Sequence, residues 1–304
     1  MEIMNTSSNK PKLILALGLV YVLWGSTYLG VKIVTEVLPP FFLSVVRFIF
    51  AGSIMLAIGF AVEKENPTRK QWKNAGLIGI LLIGMGNSSV ALSLAHMPSG
   101  LVALFIAALP AWFIGLDWLF FSKERPKALT LWGLVLGFVG LFFIFDPFYI
   151  IHPYNAARTY PLWPILVLTA GSIAWAFGSL LSPRLDTPKQ LTSSGIQMLS
   201  GVICSIILSA CLESNQWEAL NAMTTRTWLA VGYLVIFGSL VGYTAFSWLV
   251  NNAPTQVSAT YAYVNPVVAL ILGWIFLGET LSTHAFIGSV IVIAGVVLMT
   301  LKKK

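Results

Sequence analysis

The stretch Ile287-Gly-Ser-Val-Ile-Val-Ile-Ala-Gly-Val-Val-Leu-Met299 carries no charge and no alternation of polar with apolar residues. A strand crossing a membrane as part of a barrel would alternate over about 10 residues. A continuous apolar run of this kind reads instead as a helix in lipid. Leu229–Leu240 has the same character, and such runs recur along the whole chain.

Composition agrees. Hydrophobic residues make up 57% of the 304 residues and charged residues only 10%, against about 25% in soluble domains. A water-soluble globule with so few charges could not cover its surface. A spanning helix takes about 20 apolar residues. Ten of them use about 200 residues, so no separate soluble domain fits. The expected spans are 13–33, 40–62, 73–94, 99–121, 128–146, 162–181, 191–211, 228–250, 256–277 and 283–301. Breakers separate them: Pro39-Pro40, Pro67, Pro98, Pro126, Pro183 with Pro188, and Pro254. The longest connection, 147–161, holds Pro147, Pro153 and Pro161. The expected class is an all-α integral membrane protein of ten transmembrane helices.

The net charge of +7 speaks to topology rather than to nucleic acid, because the basic residues lie in short loops. With the N-terminus inside, Lys10, Lys12, Lys64, Arg69, Lys70, Lys73, Lys123, Arg125, Lys127, Arg184, Lys189 and Lys302–Lys304 share one side. Only Lys32, Arg158 and Arg226 fall on the other, and Arg47 lies inside a helix. The positive-inside rule then puts both termini in the cytoplasm of a multi-pass plasma-membrane protein. Lys10 and Lys12 precede a long first run with no small-residue cleavage site, so an uncleaved first helix is expected. Cys204 and Cys211, seven apart on one helix, cannot bridge and read as small buried apolar residues.

The chain repeats internally. At an offset of 156, Trp72 maps to Trp228, Gly76 to Gly232, Gly86 to Gly242, Pro98 to Pro254, Pro110 to Pro266 and Trp118 to Trp274. Near it, Gly133 maps to Gly288, Gly140 to Gly295 and Gly25-Ser26 to Gly178-Ser179. The expected units are 13–146 and 162–301, with five helices each. Five is odd, so the second unit enters the membrane upside down. The loop Lys123-Glu124-Arg125-Pro126-Lys127 is basic, whereas its counterpart around Gly278-Glu279-Thr280 has no Lys or Arg, as loops on opposite faces should differ. Inverted repeats are a device of secondary transporters, which hold substrate near the midplane between the units.

The segment Tyr261-Ala-Tyr-Val-Asn265-Pro266 through Trp274 to Gly278-Glu279-Thr280 resembles the signature of the EamA family, in the drug/metabolite transporter superfamily. Leu23-Trp24-Gly25-Ser26-Thr27-Tyr28, Arg47-Phe48 after Pro39-Pro40, and Trp175 with Gly178-Ser179 extend the resemblance over nearly the whole chain. It implies ten helices in two EamA units, and export of small metabolites or drugs across a bacterial plasma membrane.

Candidate site residues follow from polarity at depth. Pro110 and Pro266 each remove a backbone hydrogen bond in midspan, as hinges of paired broken helices at a binding site or as packing kinks. Asn265 lies about 14 Å into its helix and either lines the substrate path or bonds a neighbouring helix. Of Tyr261 and Tyr263, on different faces, at most one lines the path. Asn87 and Ser88 align with Tyr243 and Thr244, as polar pocket or as packing contacts. Trp24 and Trp175 offer aromatic walls. Arg47 lies about 10–12 Å past Pro39-Pro40, where a charge is costly; it serves either substrate or structure. Asp117 suits a helix-end or gating charge better than a midplane proton carrier, although proton coupling would need such an acid. Glu279 reads as an external cap or loop contact. His96, His152 and His284 fall in external connections.

Enzymes are disfavoured. No His-Glu-x-x-His occurs, the acids are scattered, and every histidine is in a loop. No metal or cofactor is called for. The rings of charge of a channel are missing. The reading is a secondary transporter exporting small metabolites, amino acids or drug-like compounds by alternating access. The alternative is a scaffold or a lipid or solute scramblase.

Overall fold

The computed structural model describes residues 10–97, 102, 105–145, 162–277 and 282–301, and among them it is helical with no strand. Lipid offers backbone groups no partner, so each crossing segment must close its own hydrogen bonds as a helix. The long helices are α1 (Lys10–Thr35), α2 (Pro40–Glu63), α3 (Arg69–His96), α4 (Leu109–Phe121), α5 (Ala128–Phe145), α6 (Trp163–Leu181), α7 (Gln190–Leu212), α8 (Thr225–Asn252), α9 (Tyr261–Leu277) and α10 (Thr283–Thr300). Seven are long and apolar enough to cross a membrane: α1, α2, α3, α6, α7, α8 and α10. The described parts of α4, α5 and α9 are shorter apolar helices.

Local chemistry sets the boundaries. Thr68 and Gln71 form a reciprocal capping box at the start of α3. Thr224 and Ser282 accept from Thr227 N and Ala285 N at the starts of α8 and α10. Pro40 and Pro164 occupy first turns, where a missing N–H costs nothing. Two helices are not regular through their middles. Ile80–Asn87 in α3 and Leu234–Val241 in α8 are wound as π-helix, at nearly the repeat offset.

Packing falls into two close antiparallel pairs. In α2/α7, Glu63 at the end of α2 accepts from Leu191 N at 2.9 Å, Thr192 N at 2.9 Å and Thr192 Oγ1 at 2.7 Å. At the opposite end Glu213 accepts from Phe41 N at 2.6 Å, Phe42 N at 2.9 Å and Ser209 Oγ at 2.8 Å. Each helix thus ends in a carboxylate lodged on the partner's amino terminus, where free N–H groups and the helix dipole favour a negative charge. In α5/α10 the backbones touch. A Cβ on Gly140 would stand 2.6 Å from Gly288 O, and one on Gly295 would stand 2.7 Å from Gly133 O. Small residues at such crossings let helices associate without a hydrophobic driving force. Between these pairs, α1 packs on α8 and α9, while α6 packs on α3 and α4.

Several expectations change in detail. The described α4 starts at Leu109, after a turn at Ala107-Ala108, so Pro110 sits in its first turn rather than mid-helix. Pro266 does lie inside its helix, but α9 begins only at Tyr261, after a turn at Ala259-Thr260. Cys204 is half-buried against Gly84, whereas Cys211 is exposed and not buried. Both thiols are free. His96 and His284 lie in the last turn of α3 and the first turn of α10. Glu279 and His152 lie outside the described residues.

Candidate functional site

Trp24, halfway along α1, stands against three elements, α6, α8 and α9. Its Nε1 donates to Gly238 O of α8 at 3.0 Å. Its ring centroid is 4.9 Å from Phe246, 5.0 Å from Tyr261 and 5.9 Å from Trp175. Trp175 of α6 lies 5.5 Å from Phe246, which lies 5.4 Å from Tyr261. The four rings form one group, two of its contacts edge-on to Trp24, the geometry that the ring quadrupole favours. Both tryptophans remain half-buried, while Phe246 and Tyr261 are buried.

Two glycines make this approach possible. A Cβ on Gly242 would meet Trp24 Nε1 at 2.7 Å, and one on Gly86 would meet Trp175 Cε3 at 2.8 Å. The pair Gly86 and Gly242 is one of the repeat matches, so each tryptophan rides over the corresponding glycine of the π-wound helix beside it. The hydrogen bonding is unequal. Trp24 is satisfied, but Trp175 Nε1 is buried without a hydrogen-bond partner among the described residues. Asn265 Oδ1, one turn beyond Tyr261, is likewise buried with none among the described residues. Unmet polar atoms of this kind are costly in a low-dielectric interior.

Arg47 of α2 borders the same group. Its Nε donates to Ser239 Oγ of α8 at 2.8 Å, and its guanidinium lies 4.8 Å from the ring centre of Phe48. Nη2 is 2.8 Å from where a Cβ on Gly238 would sit, so Arg47 and Trp24 both stand against that glycine.

Other candidates are placed elsewhere. Asn87 Nδ2 donates to Ser44 Oγ of α2 at 3.1 Å. Ser88 Oγ lies 3.2 Å from Ser205 Oγ of α7. Tyr243 donates to Gln197 Oε1 of α7 at 2.7 Å and reaches the aromatic group only through Phe246, at 6.2 Å. Tyr263 faces α5, donating to Leu134 O at 3.1 Å. Asp117 pairs with Arg184 at 3.0 Å, and Arg184 also stacks on Phe121 at 4.3 Å. That cluster ties the last turn of α4 to the end of α6, near the basic loops. No group of metal-ligating side chains occurs among the described residues.

On the basic-loop side of the aromatic group, Leu82, Ser179, Gln197, Tyr243 and Phe246 line a crevice of about 10 Å³, at the threshold for a single water. A wider recess of about 260 Å³ brings Lys127, Pro254 and Leu301 together, and with them the start of α5, the α8–α9 joint and the end of α10.

Sequence reasoning missed Phe246, Ser239 and the two clamping glutamates. Phe246 is one turn from Tyr243, a usable signal. Glu63 and Glu213 looked like ordinary loop-end charges.

Comparison with known proteins follows this geometry. Residues 11–146 and 162–301 match the EamA-like transporter family. The chain is 33% identical over 290 residues to the inner membrane transporter YedA of Escherichia coli K12, covering 95% of this chain and 90% of that protein. It is 23% identical to the transporter YoaV of Bacillus subtilis, over 95% of this chain and 97% of that protein. A solved crystal structure at 18% identity shares the fold, with a TM-score of 0.76 covering 96% of this chain and 98% of the other.

Proposed function

From the premise that this chain belongs to the EamA-like transporter family, we propose that it is a secondary transporter exporting small metabolites, amino acids or drug-like compounds by alternating access. Seven helices suited to crossing a bilayer and the kinship with an inner membrane transporter make it a multi-pass protein of the bacterial inner membrane. In this reading ten helices form two inverted five-helix units, 13–146 and 162–301, with both termini cytoplasmic.

Several features support that frame. Helices in equivalent positions of the two units, α2 with α7 and α5 with α10, run antiparallel. The contacts of α1 with α8 and α9 have counterparts in those of α6 with α3 and α4. The ends of α5 and α10 that share a recess with Lys127 belong on one face, which the basic loops make cytoplasmic.

The observation that carries the function is the contact of Trp24 with Trp175 between the units, beside a buried indole N–H and a buried amide oxygen that have no partner among the described residues. A bound solute with an acceptor would meet the indole N–H, and one that also carries a donor would meet the amide oxygen. Rocking of the units about this point would open the crevice toward the cytoplasm and load the site. Proton coupling, if used, would run through Asp117, after its pair with Arg184 opens.

The test is extracellular metabolite profiling of overexpressing cells, followed by flux in inverted vesicles. Substrate-dependent accumulation supports the reading. Absence of any solute-dependent flux marks a scaffold, and lipid movement alone marks a scramblase. If Trp175→Ala and Asn265→Ala both leave transport unchanged, the site is elsewhere.

A further inference from the structure

The charge inventory of the bundle is lopsided. Arg47 has one hydrogen bond, through Nε to Ser239, so the Nη1/Nη2 fork has no acceptor among the described residues. The two ion pairs among those residues, Lys70–Asp186 and Arg184–Asp117, do not involve it. Charges inside a membrane are normally paired. A guanidinium fork matches the two oxygens of a carboxylate.

No described acid is left to balance it or to hold a second cation. Glu63 and Glu213 clamp helix starts, and Glu65 accepts from Lys189 N. Asp117 and Asp186 are in the ion pairs. Glu36, Glu124 and Glu218 are exposed. Aromatic faces attract cations, but an unpaired guanidinium across Gly238 from Trp24 repels them. The idle donor of Trp175 adds a second group suited to an oxyanion.

We propose that the site takes an organic monoanion, one carboxylate on an apolar or aromatic body, in preference to zwitterionic amino acids and organic cations, with Arg47 as the anchor. This rests on the transport reading and narrows its substrate class. The carboxylate docks on the Arg47 fork and the apolar body lies against the four rings. The ammonium of an amino acid would find no counter-charge there, only the neutral amide oxygen of Asn265.

The experiment uses the full chain in detergent and in proteoliposomes, with three probes of one ring: phenylacetate, phenylalanine and 2-phenylethylamine. Binding is read by tryptophan fluorescence and flux by counterflow. Phenylacetate should bind at least about tenfold more tightly than either other probe, a difference of about 1.4 kcal/mol. Arg47→Gln should bring the three within about twofold, and Arg47→Lys should keep part of the preference. Wild type alone decides if Arg47→Gln does not fold: equal affinities, or a preference for the amine or the zwitterion, overturn the inference. So does a preference that persists in a folded Arg47→Gln protein, or failure of wild type to bind any of the three. Export of other solutes in cell profiling alongside such a failure would leave the transport reading standing. Its failure is recognised separately, by the lack of flux for every solute.

Discussion

Trp24 and Trp175 each ride over one glycine of a matched pair, yet only one of their indole N–H groups has an acceptor among the described residues. Replacing each by Phe therefore separates hydrogen bonding from packing. Trp24→Phe leaves Gly238 O short of its donor and should cost about 1 kcal/mol more than Trp175→Phe, which removes an unmet polar atom. Thermal unfolding of the purified variants measures the difference. Transport should respond in the other direction at Trp175, because the idle N–H is the one free to meet a solute. A Trp175→Phe protein that is stable but weak in transport is the expected result. Asn265 and Trp175 were both legible as polar or aromatic groups at depth. Their lack of partners was not, because it depends on which atoms other helices bring within reach.

At the scale of helices, the α2/α7 pair is clamped at both ends by carboxylates. Glu63→Ala and Glu213→Ala should each destabilise the protein by about 2–3 kcal/mol, through lost charge-assisted bonds and newly bare helix starts. The clamps lie about 35 Å apart along a helix of 24 residues. The double variant should be additive to within about 0.5 kcal/mol. Denaturation midpoints of the four proteins check this, and strong non-additivity would show that the clamps act as one unit. The periodic apolar pattern could not reveal this arrangement. A glutamate at the end of a span reads as an ordinary interfacial charge until the neighbouring helix start is placed beside it. The π-wound middles of α3 and α8 were hidden for a similar reason, since runs such as Ile80–Met85 suit either winding.

For the whole molecule, the alternating-access proposal makes the narrow crevice and the Asp117–Arg184 pair the closure of the basic end. The pair is partly exposed and worth about 0.5–1 kcal/mol. Asp117→Ala should raise the population open on that side about two- to fivefold. A reporter cysteine at Ser179, which lines the crevice, should be labelled faster by that factor by a membrane-impermeant reagent added from the cytoplasmic side. Unchanged labelling would place the gate elsewhere. Sidedness has its own check. In a background with Cys204 and Cys211 replaced by Ser, cysteines at Lys123 and Ser282 should be labelled from opposite sides of the membrane. Labelling from one side would undo the inverted arrangement.

The chain's composition and its uncharged runs by themselves determined a helical membrane protein. That property is set by transfer into lipid, which depends on local sequence alone. Tertiary structure decided which residues meet. It set Trp24 and Trp175 edge to face over Gly242 and Gly86, sent Asn87 and Ser88 to α2 and α7, and left Arg47 without a carboxylate among the described residues. Such outcomes turn on where helix backbones approach one another, a distance no single segment contains.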